Sequence, residues 1–223
     1  MVTSDIGLRD RKKAATRTAL ADAAAHLVLT LGVEGATAEA IADRAGVSVR
    51  TFHNYFSGKE EAVLAHFEAQ VHGWVDALRA RPVGEPIWDS LERLVLDIVT
   101  DPERPLEDTH AMMEIVDFSP SLLVKKQEMH QRIGRLIAQA IAERTGTDPD
   151  RDLYPTLLHL AVGAACKGAL ELWFDGATEA ANPGELVRDA FAQLRAGLPE
   201  PGTAPSTPAT APSTPNTGDT EHR

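Results

Sequence analysis

One cysteine, Cys166, stands in a chain of 223 residues. That excludes an internal disulfide framework and makes a reducing cytoplasm the expected location. There is no uninterrupted run of about 18 or more apolar residues, so no membrane-spanning segment and no membrane partner are expected. Met1 to Arg17 is polar and basic and lacks an apolar stretch, which excludes a secretory signal in that segment. Catalytic signatures are missing too. No motif supplies a carboxylate partner for a nucleophile or an oxyanion site, so an enzyme is not expected. His110, His130 and His159 fall on different predicted helices without close ligand spacing, so neither a metal nor any other cofactor is expected.

What is present is the composition of a globular protein, 43% hydrophobic and 25% charged. The net charge of −11 argues against a protein that coats nucleic acid over its whole surface. That charge is unevenly spread. Residues 1–59 hold eight Lys/Arg and six Asp/Glu, a balance of +2, whereas the remainder carries −13. Any nucleic-acid contact therefore belongs to the N-terminal quarter, with the acidic remainder turned away.

Apolar spacing is helical nearly everywhere, and no period-2 strand pattern is found, so the fold class is all-α. A first helix is predicted from about Arg9 to Leu31, burying Ala15, Ala19, Ala23, Leu27 and Leu31, with Gly32 as its stop. Thr37 is the expected N-cap of a short helix, Ala38 to Ala45, ended by Gly46, and Ser48 caps another running to Phe56. Ser57-Gly58-Lys59-Glu60 reads as a capping box opening a longer helix to about Ala80. Prolines punctuate five further helices at about 87–100, 105–117, 120–145, 151–175 and 183–197. Beyond them lies a tail in which TAPSTP occurs twice, and residues 199–223 read as disordered.

The informative segment is Thr37 to Lys59. Ala40, Ile41 and Ala45 give its first short helix a narrow apolar face. Gly46 supplies a left-handed turn, Val47 fills the angle between the helices, and Phe52 and Phe56 bury the inner face of the second. Val49, Arg50, His53 and Asn54 then remain outside, most of them able to contact bases or phosphates. Two short helices joined in this way form a helix-turn-helix, whose second helix enters the major groove of double-stranded DNA. Arg50 could donate bidentately to guanine, and Lys59 at a helix N-terminus offers charge beside free N–H groups. Arg9, Arg11, Lys12, Lys13 and Arg17 could follow the DNA backbone.

The run IADRAGVSVRTFHNYFSGKE resembles the signature of the TetR family. An Ile-Ala pair, an Ala-Gly-Val turn, a Thr-aromatic pair, a Tyr-Phe pair and a Lys-Glu follow one another at that family's spacing. The match extends over roughly residues 12–65. The resemblance implies that Val49 and Arg50 read bases and that Thr51, His53, Tyr55 and Lys59 hold phosphates. Thr37 and Asn54 complete the expected DNA-binding set. His53 departs from the pattern, since the family usually has tyrosine there, and its charge could vary near neutral pH.

Residues 60–198 carry more apolar surface than a small bundle needs. Candidate inward positions are Leu64, Phe67, Val71, Trp74, Leu91, Leu94, Ile98, Met112, Met113, Ile133 and Ile137. Of these, Phe67, Val71, Trp74, Leu94, Met112, Met113 and Ile133, together with His159, are the expected lining of a ligand pocket; the alternative is plain core packing. The family resemblance implies a small-molecule site in this domain. Residues 106–175 are also similar to an actinobacterial subgroup associated with acyl-CoA-like or other lipophilic ligands. Small residues at Ala161, Ala165 and Ala169, with Gly168 beside them, let helix axes approach closely, and Leu186, Val187, Ala190, Phe191 and Leu194 form an apolar stripe. Ala161, Ala165, Gly168, Leu186 and Phe191 are therefore the expected contacts of a two-fold homodimer.

The expected organisation is a helix-turn-helix DNA-binding domain with a basic arm at 1–59, a ligand-binding and dimerisation domain at 60–198, and the tail. The expected function is that of a ligand-responsive transcriptional regulator, a dimeric repressor released from a near-palindromic operator by a small lipophilic effector. Two other classes compete: a helical protein–protein interaction module that no longer reads DNA, and a helical enzyme using the apolar cavity, for which catalytic polar groups are lacking.

Overall fold

The computed structural model describes residues 7–118 and 120–200. Among them the regular elements are all helical: α1 Leu8–Gly35, α2 Ala38–Arg44, α3 Val49–His53, α4 Lys59–Ala80, α5 Ile87–Val99, α6 Leu106–Phe118, a 3-10 turn Pro120–Leu122, α7 Leu123–Thr145, α8 Leu153–Phe174 and α9 Pro183–Arg195. The tail expected to be disordered lies outside the described residues from 201 onwards.

Local chemistry accounts for most boundaries. Gly32 takes φ 75°, a left-handed value that breaks α1 after Leu31, and one irregular turn follows before Ala36. Thr37 and Ser48 accept N–H bonds from Ala40 and Thr51 and so cap α2 and α3. Asn182 caps α9 in the same way, with Pro183 in its first turn. The start of α4 is built differently from the expected box. Both the N–H and the hydroxyl of Ser57 donate to Glu61, at 2.9 and 2.7 Å, because the carboxylate one position beyond Glu60 reaches back. These bonds, the side-chain one foremost, hold the Glu61 carboxyl below its ordinary range.

Two apolar cores result. The first gathers Leu20, Ala24 and Val28 of α1, Ile41 of α2, Phe52 and Phe56, and Ala62–Ala65 of α4. The face of α1 differs from the expected one. Ala15 and Ala19 are exposed, since the first turns of α1 run past the packing surface, and Leu31 is 59% exposed at the kink. The second core joins Val71, Val75 and Leu78 of α4 to α5, α7, α8 and α9. The loop between α4 and α5 is pinned by Arg144, which donates to the Arg81, Pro82 and Glu85 carbonyls and to Ser90 Oγ.

Helix α9 lies against α5 and α8, and its apolar stripe faces inward. Phe191 is completely buried, edge-on to Trp88 at 6.3 Å, so it is not available as an exposed contact in a dimer interface. Helix α8 is the reverse case. With 22 residues and a mean hydropathy of 1.3, it is long and apolar enough to cross a membrane by length and composition, although no unbroken apolar run exists. Leu153, Leu157, Leu160 and Leu172 are each about half exposed or more, on one stripe with Ala164 and Gly168. Substituting Phe191→Ala is expected to lower the unfolding free energy by about 3–5 kcal/mol in urea titrations, as for a large aromatic removed from a core. A role confined to a subunit interface would instead leave that value unchanged once the protein is diluted to monomer.

Candidate DNA-reading helix and internal cavity

The tight turn between α2 and α3 orients the candidate reading helix. Gly46 takes φ 69°, where a side chain would be strained, and the Val47 N–H donates to Ala42 O at 2.9 Å. Val47 and Val49 are half-buried against the first core, and Phe52 and Phe56 are sealed within it. That anchorage turns Arg50, His53 and Asn54 outward, all exposed. Among the described residues the Arg50 guanidinium has no hydrogen bond or ion pair, which leaves its five donors to a partner.

The other predicted DNA contacts divide into two groups. Lys12, Lys13 and Arg17 are exposed on α1, and the Arg17 guanidinium lies over the Phe56 ring at 5.0 Å. Thr37 and Thr51 are engaged locally: Thr37 caps α2, and the Thr51 hydroxyl is 2.8 Å from Ser48 Oγ. Tyr55 is half-buried against the core. Lys59 has an internal role that its place in the motif did not announce. Its ammonium donates to Val33 O at 2.6 Å, with Glu34 at 3.8 Å, and ties the start of α4 to the irregular end of α1.

Inside the second core lies a cavity of about 200 Å³, walled by α4, α5, α6, α7 and α8. Val71, Trp74, Leu94, Met113 and His159 line it as expected. Phe67, Met112 and Ile133 do not. Met112 is buried in the first core, and Phe67 and Ile133 bridge the two cores. A periodicity argument cannot separate adjacent methionines that diverge by the helical step of about 100°. Cys166, Ile98, Val162 and Gly163 also line the wall and carried no signal beyond apolar spacing. Burial pushes the Cys166 thiol up to about 11, so it stays protonated and unreactive at neutral pH. Burial likewise holds the His159 imidazole below its ordinary value of 6.5. Among the described residues no cluster of three or more His, Cys, Asp or Glu could hold a metal ion.

The predicted dimer residues Ala161, Ala165 and Gly168 are half-buried beside the exposed leucine stripe of α8, and Leu186 is half-buried on α9. A helix-turn-helix carried by a helical domain with an internal apolar cavity defines a one-component DNA-binding regulator. Comparisons with known proteins make the class specific. Residues 20–65 match the bacterial regulatory proteins of the tetR family, and residues 85–199 match the MftR C-terminal domain. The chain is 34% identical over 174 residues to the HTH-type transcriptional regulator TcmR of Streptomyces glaucescens, covering 75% of this chain and 77% of TcmR. The same fold is found in the fatty acid degradation regulator FadR from Bacillus halodurans (TM-score 0.55, 18% identity, 80% of this chain and 94% of that one). It is found again in a SmeT–triclosan complex (TM-score 0.52, 21% identity, 89% of this chain and 100% of that one). The chain belongs to the TetR family of transcriptional regulators.

The state of His159 has a measurable consequence. Its folded pKa lies below the unfolded one, so the unfolded chain binds more protons as pH falls through 6.5. Stability therefore drops through that range and levels off below the folded value. His159→Leu is expected to remove this share of the loss between pH 7.5 and pH 5.5 in urea titrations. The parallel contribution of His130, also lowered by burial, stays in both proteins. Identical slopes for variant and parent would show that His159 is not held neutral.

Proposed function

We propose that this regulator is a homodimeric repressor that holds a near-palindromic operator until a small lipophilic effector enters the second domain. The observation that carries the DNA reading is the row formed by Arg50, His53 and Asn54, exposed and outward on a helix whose opposite face is locked by Phe52 and Phe56. Such a helix presents donors to base edges in the major groove, with Val49 beside them. Lys12, Lys13 and Arg17 add sequence-blind affinity along the backbone. Residues 1–59 form the reading domain and residues 60–198 the effector and dimer domain in this scheme. The protein acts in the cytoplasm, where the operator is.

The second copy is supported by α8, whose exposed leucines and small residues make a stripe that water otherwise covers. A two-fold packing of α8 with its symmetry mate would bury it, bringing Ala161, Ala165 and Gly168 to the crossing and Leu186 to the edge. Two reading helices would then address half-sites one helical turn apart, about 34–36 Å. The cavity supports the effector reading, as does the fold it shares with a protein solved as a SmeT–triclosan complex. Release follows if the ligand binds better to a conformation that does not fit DNA. An interaction module that no longer reads DNA would have no use for an exposed arginine in the first turn of α3.

The test is titration of promoter-proximal DNA across a salt series with the parent and Arg50→Ala. The parent should bind two chains per operator with steep salt dependence. The variant should lose about 1–3 kcal/mol of discrimination between operator and random DNA. Equal binding to both DNAs, unchanged by the substitution, would refute the reading.

A further inference from the structure

The wall of the cavity is unusual in what it omits. Of the side chains that line it, none is Asp, Glu, Lys or Arg, and the hydrogen-bonding groups are few: Thr109, His159, Cys166 and the Trp74 indole. His159 is the most versatile of these, because a neutral imidazole both donates and accepts. Among the described residues its ring has no hydrogen-bond partner, and Nε2 sits 3.7 Å from where a Cβ would stand on Gly134 of α7, so no side chain there competes for it.

The cations of the neighbouring surface are already paired: Arg104, beside Trp74, Ile98 and Thr109 of the cavity wall, is held by Asp101 at 2.9 Å. A shallow recess shares Met113 and Leu170 with the cavity and is bordered by Glu114, Asp117, Glu171, His110 and Lys167. Lys167 is already engaged by Asp117 at 3.1 Å and by Glu171 at 3.7 Å, and Asp117 also holds Lys126 at 2.7 Å. His110 is stacked on Phe174, with Glu114 4.0 Å from its Nδ1. An anion arriving here meets carboxylates and an occupied lysine. Burying a carboxylate or phosphate in the apolar chamber would leave it without a partner.

Size narrows the choice. An apolar cavity of about 150 Å³ is known to hold a benzene ring. At about 200 Å³, with the flexible Met113 in its wall, this one suits a body of one or two fused rings. Building on the effector reading above, we propose that the ligand is a compact, uncharged, ring-sized lipophile with a single hydroxyl or carbonyl group that hydrogen-bonds to His159. A carboxylate or phosphate group is disfavoured within the cavity itself.

Three probes with one body and different polar groups test this: naphthalene, 2-naphthol and 2-naphthoate, titrated calorimetrically into the full chain at neutral pH. The proposal expects 2-naphthol to bind about tenfold more tightly than naphthalene, the net worth of one hydrogen bond. It expects 2-naphthoate to bind at least about tenfold more weakly than 2-naphthol. His159→Phe, which keeps a ring in place, and His159→Leu should each bring 2-naphthol down to the affinity that naphthalene has for the same variant. The proposal is overturned by 2-naphthoate binding as well as 2-naphthol, by 2-naphthol binding that ignores both His159 variants, or by no binding of any probe. A 2-naphthol complex that depends on His159 yet keeps full operator affinity would support this ligand class and count against effector-driven release alone.

Discussion

The two functional halves are held together by apolar side chains that cross from one to the other. Helix α4 contributes Ala62–Ala65 to the core beneath the reading helix and, further along, Val71, Val75 and Leu78 to the core around the cavity. Traffic runs the other way as well. Met112 and Val116 of α6 and Met129 of α7 are buried in the reading-domain core, although they belong to the second domain by sequence. Interiors at this density do not deform smoothly, so displacement of such residues on one side is felt on the other. Helix α6 is where this matters most: Met113 faces the cavity and its neighbour Met112 faces the core under α3.

Polar ties reinforce that seam. Lys125 of α7 donates to Ser57 Oγ at 2.9 Å at the entrance of α4, and His66 of α4 meets Asp22 of α1 at 2.8 Å. Arg132 of α7 pairs with Glu68 of α4. Surface pairs of this kind are each worth little in stability. Their effect lies in register: Lys125–Ser57 and His66–Asp22 join residues 1–59 to the second domain, whereas Arg132–Glu68 ties α4 to α7 within it. Lys59, bound to Val33 O, ties the start of α4 to the end of α1 within residues 1–59.

Much of this was legible in the sequence because it rests on local chemistry. Cap residues, glycines that need a left-handed turn and prolines at helix starts act over a few positions, and nearly every boundary they marked is found within two residues. The helix-turn-helix was readable for the same reason, since Gly46, Val47, Phe52 and Phe56 determine both the turn and the buried face. What was misread depends on tertiary placement. Alanine spacing in α1 could not tell which turns reach a partner, so Ala15 and Ala19 were placed inside and lie outside. Met112 and Met113 look alike until the helix is set between two cores. Phe191 and the leucines of α8 were equally apolar in sequence, yet one is sealed inside the subunit and the others face outward.

The central claim is that the two cores, one under the reading helix and one around the cavity, behave as a single cooperative unit. Native-state hydrogen exchange at the Phe52 amide, which donates to Ser48 O within the reading unit, tests it when Leu78 at the cavity wall is replaced by alanine. A single cooperative unit predicts that the variant lowers protection at Phe52 by the same free energy, about 2–5 kcal/mol, that it removes from global stability. Protection at Phe52 that stays at the parent value while the second domain is destabilised would contradict it and make the two halves independent.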